Sequence, residues 1–250
     1  MAVLAILPAR YGSTRFPGKP LTPIQGKPMI QHVWERTCSA KSVDAVVVAT
    51  DDERIRTACE AFGARVEMTR EDHPTGTDRL AEVAARNDHD VIVNVQGDEP
   101  LIEGFVVDAA VEALSEDKRA AMSTIVHRAD ATAFNDPNRV KVVLDANGFA
   151  LYFSRAPIPF RRAREEDPVR EPGPLQHVGL YVYRRDFLLE IVKLPRTPLE
   201  ISEELEQLRA LENGYRIRAA EIEGWTSVPV DVPEDVPIVE ATLARTTARS

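Results

Sequence analysis

The stretch VLAILPARYGSTRFPGKPL, residues 3–21, joins an apolar run to a loop rich in cations and glycine. The run at 3–7 contains no polar residue, which is typical of a parallel strand covered on both faces. The loop carries Arg10, Arg15 and Lys19, and its glycines let the backbone approach an anion. It lacks the spacing of a P-loop and of a dinucleotide-binding loop. These residues predict a strand that ends in a polyphosphate-binding loop, with a basic surface turn as the alternative.

Strands and helices alternate through the first part of the chain. Apolar runs recur at 43–50 and 90–96, and apolar residues have helical spacing over 27–40, 51–64 and 75–87. Such alternation predicts a doubly wound α/β fold with a mostly parallel sheet and right-handed crossovers. In an open parallel sheet, ligands bind beyond the carboxyl ends of the strands, which is where the cationic loop is expected.

The middle of the chain predicts a mixed α+β insertion at about 135–185. Two β-rich runs within 140–154 meet at an Asn-Gly pair, which accepts positive φ and predicts a hairpin. Another strand is predicted at 177–184. No linker-like composition interrupts the chain, so we expect one domain over 1–250 that carries this β-rich insertion.

The composition excludes several classes of protein. Hydrophobic residues make up 44% of the 250 residues, and the formal net charge is −9. This acidity argues against a nucleic-acid-coating protein, and no apolar stretch approaches the roughly 18–20 residues of a membrane span. The opening MAVLAIL lacks the basic flank of a signal peptide and predicts a strand. Cys38 and Cys59 do not form a disulfide framework, which predicts reduced thiols in a cytoplasmic protein.

Two acidic positions predict a metal site. Asp98 in QGDEP directly follows the apolar run 90–96, and Asp231 in PVDVPED follows a short β-rich run. One or two carboxylates together with substrate phosphates are the usual ligands of Mg²⁺. Asp98 alone could instead cap the helix expected near Ile102, and Asp231 alone could be a helix-entry residue. As a pair they are better explained as ligands of one ion.

Further polar groups lie in the second half of the chain. Arg155 and His177 flank a long charged loop, 155–176, and Tyr181 lies on the strand after it. The length of this loop is typical of a functional lid, whereas a single histidine is more often structural than catalytic.

One amphipathic helix is predicted over 199–214, ending at a glycine. In such a helix Glu200, Glu204 and Gln207 would lie on one side. That side is either a solvated face or a set of acceptors for a polyhydroxylated ligand.

Nine segments resemble a known family in the same order along the chain. They are LPARYGSTRFPGKPL, GKPMIQHV, VVATDDERI, MTREDHPTGTDRLAEV, VIVNVQGDEPLI, FNDPNRVKVVLDANGFALYFSRAPIP, HVGLYVYR, PLEISEELEQLRALENG and VDVPED. Together they span almost the whole chain and closely resemble the 3-deoxy-manno-octulosonate cytidylyltransferase family, the CMP-KDO synthetases. One segment would be weak evidence, but nine in order are specific.

The resemblance implies a Rossmann-like nucleotidyltransferase. Such an enzyme joins CTP to the acidic sugar 3-deoxy-D-manno-octulosonate (KDO) and releases diphosphate and CMP-KDO for lipopolysaccharide biosynthesis. The resemblance further implies Mg²⁺ as cofactor and a homodimer formed through the insertion, with no nucleic-acid or membrane partner. Two alternatives stay open, which are CMP activation of another 2-keto acid sugar and a nucleotide-binding protein without catalysis.

The resemblance also implies roles for individual residues. The triphosphate is expected against Arg10, Ser13, Arg15 and Lys19, and the cytosine and ribose against Thr75, Gly76 and Arg79 of the HPTGTDRL turn. Asp98 and Asp231 match the magnesium-binding aspartates, and with Arg15 and Lys19 they are the expected catalytic residues. Gln96 is expected between nucleotide and sugar. The sugar is expected against Arg155, His177, Tyr181, Glu200 and Gln207.

Overall fold

A mixed β-sheet forms the centre of the fold. The computed structural model describes residues 1–12, 16–160 and 174–247, and within these ranges the main sheet has nine strands and a separate two-stranded ladder follows the first loop. In chain order the strands are β1 (Val3–Ala9), β2 (Pro23–Ile24), β3 (Lys27–Pro28), β4 (Ala45–Thr50), β5 (Arg65–Met68), β6 (Val91–Val95), β7 (Ala120–Arg128), β8 (Lys141–Leu144), β9 (Ala150–Ser154), β10 (Leu175–Arg184) and β11 (Arg216–Glu221).

Helices connect these strands and cover the sheet. They are α1 (Met29–Thr37), α2 (Glu53–Ala61), α3 (Gly76–Ala85), α4 (Gly104–Glu116), α5 (Ala131–Asn135), α6 (Arg185–Ile191), α7 (Pro198–Glu203), α8 (Gln207–Glu212) and α9 (Val236–Thr247). Among the helices of the described ranges, none has the length and apolar character needed to cross a membrane.

The strand order confirms the predicted doubly wound, mostly parallel sheet. The main path runs β11-β7-β10-β6-β1-β4-β5. β1 pairs in parallel with both β4 and β6, so the connections run to opposite sides of β1. β10 is antiparallel to both of its neighbours on this path, β6 and β7. The topological switch point, where such folds bind ligands, therefore lies at the carboxyl ends of β1 and β6.

Both faces of the sheet carry a hydrophobic core, as expected for the apolar runs in the sequence. Leu4 and Ile6 of β1 face a core that includes Leu80 of α3, whereas Ala5 and Leu7 face the core on the other side. Alternate residues of a strand point to opposite faces of the sheet, so a strand that is covered on both faces needs apolar residues throughout. This burial fixes the position of the carboxyl end of β1.

The predicted hairpin over 140–154 is confirmed. β8 and β9 are antiparallel, with Val142 opposite Phe153, and the turn between them has Gly148 at φ +74°. β8 also pairs with the start of β10, which attaches the hairpin to the main sheet. β7, which contributes a long inner strand of that sheet, is not among the predicted strands.

The single helix predicted over 199–214 is wrong. The chain forms two short helices, α7 and α8, because Glu204 adopts a left-handed conformation with φ 51° and ψ 48°. The Arg155 guanidinium donates hydrogen bonds to the carbonyl oxygens of Glu203, at 2.7 Å, and Glu204, at 3.4 Å. Glu200, Glu204 and Gln207 therefore do not share one helix face. A long-range contact outweighs the local helix propensity of this segment.

Candidate active site

A pocket of about 240 Å³ lies at the carboxyl ends of β1 and β6, at the topological switch point. We call it the first pocket. It brings together residues from the loop after β1, the start of α3, the turn after β6 and the segment before α9. The predicted site residues that line it are Arg10, Lys19, Thr75, Gly76, Arg79, Gln96, Asp98 and Asp231. Ser13 and Arg15 lie outside the described residues.

Local backbone hydrogen bonds fix the position of Lys19. Gly18 has φ +73°, and its N–H donates to the carbonyl oxygen of Tyr11 at 2.9 Å, which folds the loop back on itself. A β-carbon at Gly18 would lie 3.1 Å from the Tyr11 ring, so the close approach and the positive φ both require glycine. Lys19 then opens a short 3₁₀ helix, Lys19–Leu21, that directs its side chain into the first pocket.

Lys19 lies close to both predicted metal ligands. Its Nζ donates to Asp98 Oδ2 at 2.8 Å and lies 3.9 Å from Asp231 Oδ1. The cap of α4 is Glu103, so Asp98 does not cap that helix. The backbone N–H of Val230 donates to the carbonyl oxygen of Asp98 at 2.9 Å, which holds the two acidic segments side by side. Two carboxylates from segments that are far apart in the sequence therefore lie near one positive charge.

This arrangement fits a divalent cation. The Lys19 ammonium shows that a positive charge is stabilised between the Asp98 and Asp231 carboxylates. No cluster of three or more His, Cys, Asp or Glu side chains with metal-binding geometry occurs in the described part of the chain. Two carboxylates with room for phosphates and water are what Mg²⁺ uses at nucleotide sites, so the donor set suits that ion.

A buried carboxyl group lies near Asp98 and Asp231, which we call the acidic pair. Glu99 is 6% exposed, and Ser227 Oγ lies 2.6 and 2.9 Å from its two carboxyl oxygens. Burial raises the pKa of Glu99 to about 8, and the nearby negative charges of Asp98 and Asp231 act in the same direction. Glu99 consequently adds no full charge at neutral pH while it joins the turn after β6 to the segment around Ser227.

The start of α3 forms another part of the lining of the first pocket. Thr75 is the N-cap of this helix, and its hydroxyl donates to Asp78 Oδ2 at 2.8 Å. The nearest atom to a β-carbon built on Gly76 would be 3.9 Å away, on Pro8, which leaves the backbone open to a ligand. Arg79 is buried and donates to Asp51 Oδ2 at 2.6 Å and to the hydroxyl of Thr69. Its guanidinium thus joins this wall to the segments that follow β4 and β5.

A second pocket of about 280 Å³ adjoins the first and shares Gly76 and Gln96 with it. Tyr181 on β10 and Gln207 at the start of α8 also line this second pocket. Gln96 was expected between nucleotide and sugar, and it does lie where the two pockets meet.

Gln207 has an unpaired donor in the second pocket. The Tyr181 hydroxyl donates to Gln207 Oε1 at 3.1 Å, which fixes the orientation of the amide. Gln207 is 5% exposed, and its Nε2 has no hydrogen-bond partner among the described residues. A buried donor without a partner costs free energy, so a ligand acceptor at this position would be stabilised.

Three predicted sugar-binding residues lie outside the lining of the second pocket. Arg155 binds the backbone carbonyl oxygens at the end of α7. Both oxygens of the Glu200 carboxylate accept from Arg209, at 2.5 and 2.8 Å, and its side chain is 1% exposed. His177 is also buried and packs against the Tyr181 ring, with 5.2 Å between ring centroids. These contacts support the wall of the second pocket.

The hydrogen bonds of His177 define its tautomer. The Thr124 hydroxyl donates to the carbonyl oxygen of Leu180 at 2.7 Å, so its oxygen accepts from His177 Nε2 at 2.9 Å. Burial lowers the pKa of His177 to about 3, which keeps the imidazole neutral.

Three other residues of the second pocket were missed from the sequence. Glu206 and Arg209 on either side of Gln207 line it, as does Thr77, whose hydroxyl donates to Glu206 Oε2 at 2.5 Å. This hydrogen bond joins α3 to the start of α8. Thr77 lies within the HPTGTDRL turn and Glu206 adjoins Gln207, so sequence proximity to predicted residues was the available signal.

The fold and the paired pockets define an α/β protein of the nucleotidyltransferase type, with a cation-lined pocket at the switch point and a polar pocket beside it. The family model described as "Cytidylyltransferase" matches residues 4–217. The chain belongs to the cytidylyltransferase family.

Curated relatives and a solved structure agree with this assignment. A "3-deoxy-manno-octulosonate cytidylyltransferase" of Syntrophotalea carbinolica is 56% identical over 248 residues, covering 97% of this chain and 99% of the relative. One of the same name from Geobacter sulfurreducens is 56% identical over 243 residues, covering 94% and 97%. A structure of CMP:2-keto-3-deoxy-manno-octonic acid synthetase complexed with CTP superposes with a TM-score of 0.92 at 43% identity, covering 98% of this chain and all of that one.

Proposed function

We propose that the protein transfers the cytidylyl group of CTP to KDO, forming CMP-KDO and diphosphate for lipopolysaccharide biosynthesis. The main support for this proposal is the pair of pockets that meet at Gln96. The first pocket holds the acidic pair and Lys19, and the second holds the unpaired Gln207 donor. The names of the full-length relatives and of the CTP-bound structure support the two substrates.

The first pocket suits an in-line displacement at the α-phosphorus. The anomeric hydroxyl oxygen of the sugar forms a bond to the α-phosphorus and loses its proton to solvent, the bond from phosphorus to the bridging oxygen breaks, and diphosphate leaves. Such a step needs mainly alignment and neutralisation of charge. Arg10 and Lys19 line this pocket and would neutralise phosphate oxygens, including those of the departing diphosphate. We propose the same role for Ser13 and Arg15, which belong to the same loop in the sequence.

Asp98 and Asp231 are the residues that would hold Mg²⁺. Bound there, the ion would supply Lewis-acid stabilisation of the phosphate oxygens and of the attacking hydroxyl. The backbone hydrogen bond from Val230 to Asp98 keeps the two acidic segments together before the ion arrives, so their backbone needs little reorganisation on binding.

The start of α3 is proposed to bind the nucleoside. Thr75 and Gly76 would contact the base and ribose, because the absence of a side chain at Gly76 leaves the backbone accessible there. Arg79 would act in the same recognition through its hydrogen bonds to Asp51 and Thr69, which hold this wall in place.

The second pocket suits a hydroxyl-rich molecule. Gln207 Nε2 offers a donor and the Glu206 carboxylate offers acceptors for hydroxyl groups, while the Arg209 guanidinium on the wall is paired with the buried Glu200 carboxylate. Tyr181 orients Gln207, and Gln96 contacts both substrates from the shared edge. We propose that Arg155, His177 and Glu200 serve the sugar site by positioning this wall, since their polar groups bind protein atoms.

The direct experiment is a diphosphate-release assay with purified protein. With CTP and Mg²⁺, we expect release on adding KDO and much slower release on adding a nonulosonate such as a sialic acid. Faster turnover with the nonulosonate would contradict the sugar assignment. Absence of release with every acidic sugar would favour the nucleotide-binding protein without catalysis. Omitting Mg²⁺ tests the cofactor separately.

We also propose a cytoplasmic homodimer that binds neither nucleic acid nor membranes. Leu151 on β9 is 62% exposed and Phe160 is 88% exposed, which supports an interface in the 135–185 segment. Both cysteines are free, which supports a reducing compartment, and the net charge of −9 disfavours nucleic acid. Light scattering tests the dimer, and Leu151→Lys should yield monomers if this segment forms the interface.

A further inference from the structure

The Lys19 ammonium occupies the position between the two carboxylates that the proposed function gives to a divalent cation. Its Nζ is 2.8 Å from Asp98 and 3.9 Å from Asp231, and the lysine side chain is 15% exposed. We infer that Lys19 is an internal counter-ion that keeps a divalent cation out of the carboxylate pair until a triphosphate draws the ammonium away. This inference rests on the proposed function and concerns the order in which its components bind.

The backbone around all three residues is anchored, whereas the lysine stem can move. The Lys19 N–H donates to the carbonyl oxygen of Phe16, and its own carbonyl oxygen accepts from Thr22. The Asp98 carbonyl oxygen accepts from Val230, and the Asp231 N–H donates to Asp235 Oδ2 at 2.7 Å. Exchange of one cation for another therefore needs only rotation about the four-carbon lysine side chain.

Charge makes the two cations mutually exclusive between the carboxylates. An ammonium and a divalent ion held by the same oxygens would repel each other at short distance in a partly dehydrated pocket. In the absence of nucleotide, a metal ion must therefore displace an ammonium that gains no new ion pair when it leaves. A triphosphate beside Arg10 offers Lys19 new anionic partners, so the ammonium can leave the carboxylates without losing its ion pairs. Metal and nucleotide are then expected to enter together.

The test measures Mn²⁺ binding to the nucleotide-free protein, because this requires no turnover. Electron paramagnetic resonance of free Mn²⁺ would give the dissociation constant for wild type, Lys19→Met and Lys27→Met. Lys19→Met keeps the aliphatic stem and removes the charge, so its affinity should rise about tenfold or more. Lys27 pairs with Glu35 on the exposed surface, and Lys27→Met should match wild type. Adding Asp98→Asn to Lys19→Met should remove the gain.

Two controls keep the result decisive. Lys19→Arg retains a cation and should bind Mn²⁺ as weakly as wild type. Mn²⁺ should raise the melting temperature of Lys19→Met more than that of wild type, which also shows that the variant is folded. If Lys19→Met is unfolded, Lys19→Gln replaces it with the same expectation. Equal Mn²⁺ affinity in wild type and the uncharged variant, or a tenfold gain in Lys19→Arg, would overturn the inference.

Diphosphate release separates this inference from the proposed function. If the wild-type protein turns over CTP and KDO but Lys19→Met has the same Mn²⁺ affinity as wild type, the counter-ion role of Lys19 is refuted and the proposed function stands. A gain in Mn²⁺ affinity without any turnover would support the counter-ion and refute the function.

Discussion

The two pockets are built in different ways, although they share Gln96 and Gly76. In the first pocket, Lys19 and Asp98 come from the loops after β1 and β6 and Asp231 comes from the segment before α9, and backbone hydrogen bonds position all three. In the second pocket, the wall depends on side-chain hydrogen bonds that join distant parts of the chain, such as those from Arg155 to the backbone carbonyl oxygens at the end of α7. The first pocket therefore depends on charged groups near strand ends, whereas the second pocket depends on buried polar contacts.

The largest expected effect lies in the first pocket. Asp98→Ala removes one of the two carboxylates and should lower turnover about a thousandfold or more, with the fold intact. Diphosphate release measures turnover, and thermal unfolding serves as the control for folding. Near-wild-type turnover of this variant would show that the acidic pair is not the metal site.

The next largest effect should be a loss of stability caused by a change in the wall of the second pocket. Glu200 is 1% exposed and pairs with Arg209, so Glu200→Gln should lower the free energy of unfolding by about 3 kcal/mol. Urea unfolding measures this loss. Glu53→Gln is the matched control, because the Glu53–Arg56 pair is exposed and should contribute less than about 1 kcal/mol. Similar losses in both variants would contradict a supporting role for the buried pair.

The two pockets also differ in how far the sequence could predict them. Asp98 and Lys19 belong to contiguous motifs next to strands, so their meeting follows from the parallel sheet. The break at Glu204 does not follow from the sequence, because Glu, Leu and Gln are good helix formers and the left-handed residue is stabilised by Arg155 from another segment. Glu206 and Arg209, which line the second pocket, belong to the segment that follows this break.

A smaller effect should separate the two substrates. Gln207→Leu removes the buried donor at similar volume, and the KM for KDO should rise about tenfold because one hydrogen bond is lost. The KM for CTP should change less than about twofold, since Gln207 does not line the first pocket. Gln31→Leu, at a site where the amide bonds only Glu35, is the control. A parallel rise in both KM values would show that the pockets do not act separately.

An effect of similar size concerns acid stability. His177 has a pKa of about 3 in the folded protein, below its ordinary value near 6.5, so below pH 6.5 the unfolded state binds more protons. Its contribution to stability is complete above pH 6.5 and is lost as the pH falls toward 3. Glutamine does not titrate. When the pH falls from 7 to 5, the free energy of unfolding of His177→Gln should therefore decrease by about 1–2 kcal/mol less than that of wild type. Equal losses in urea unfolding would mean that His177 is not held neutral.

The measurement that tests the central claim most directly is anomalous diffraction from crystals grown with CTP and Mn²⁺. We expect the manganese peak bonded to oxygens of both Asp98 and Asp231, the triphosphate in the first pocket, and Lys19 Nζ moved from the carboxylates to phosphate oxygens. A manganese peak away from these carboxylates, or CTP bound outside the first pocket, would contradict a metal-dependent transfer site at the ends of β1 and β6.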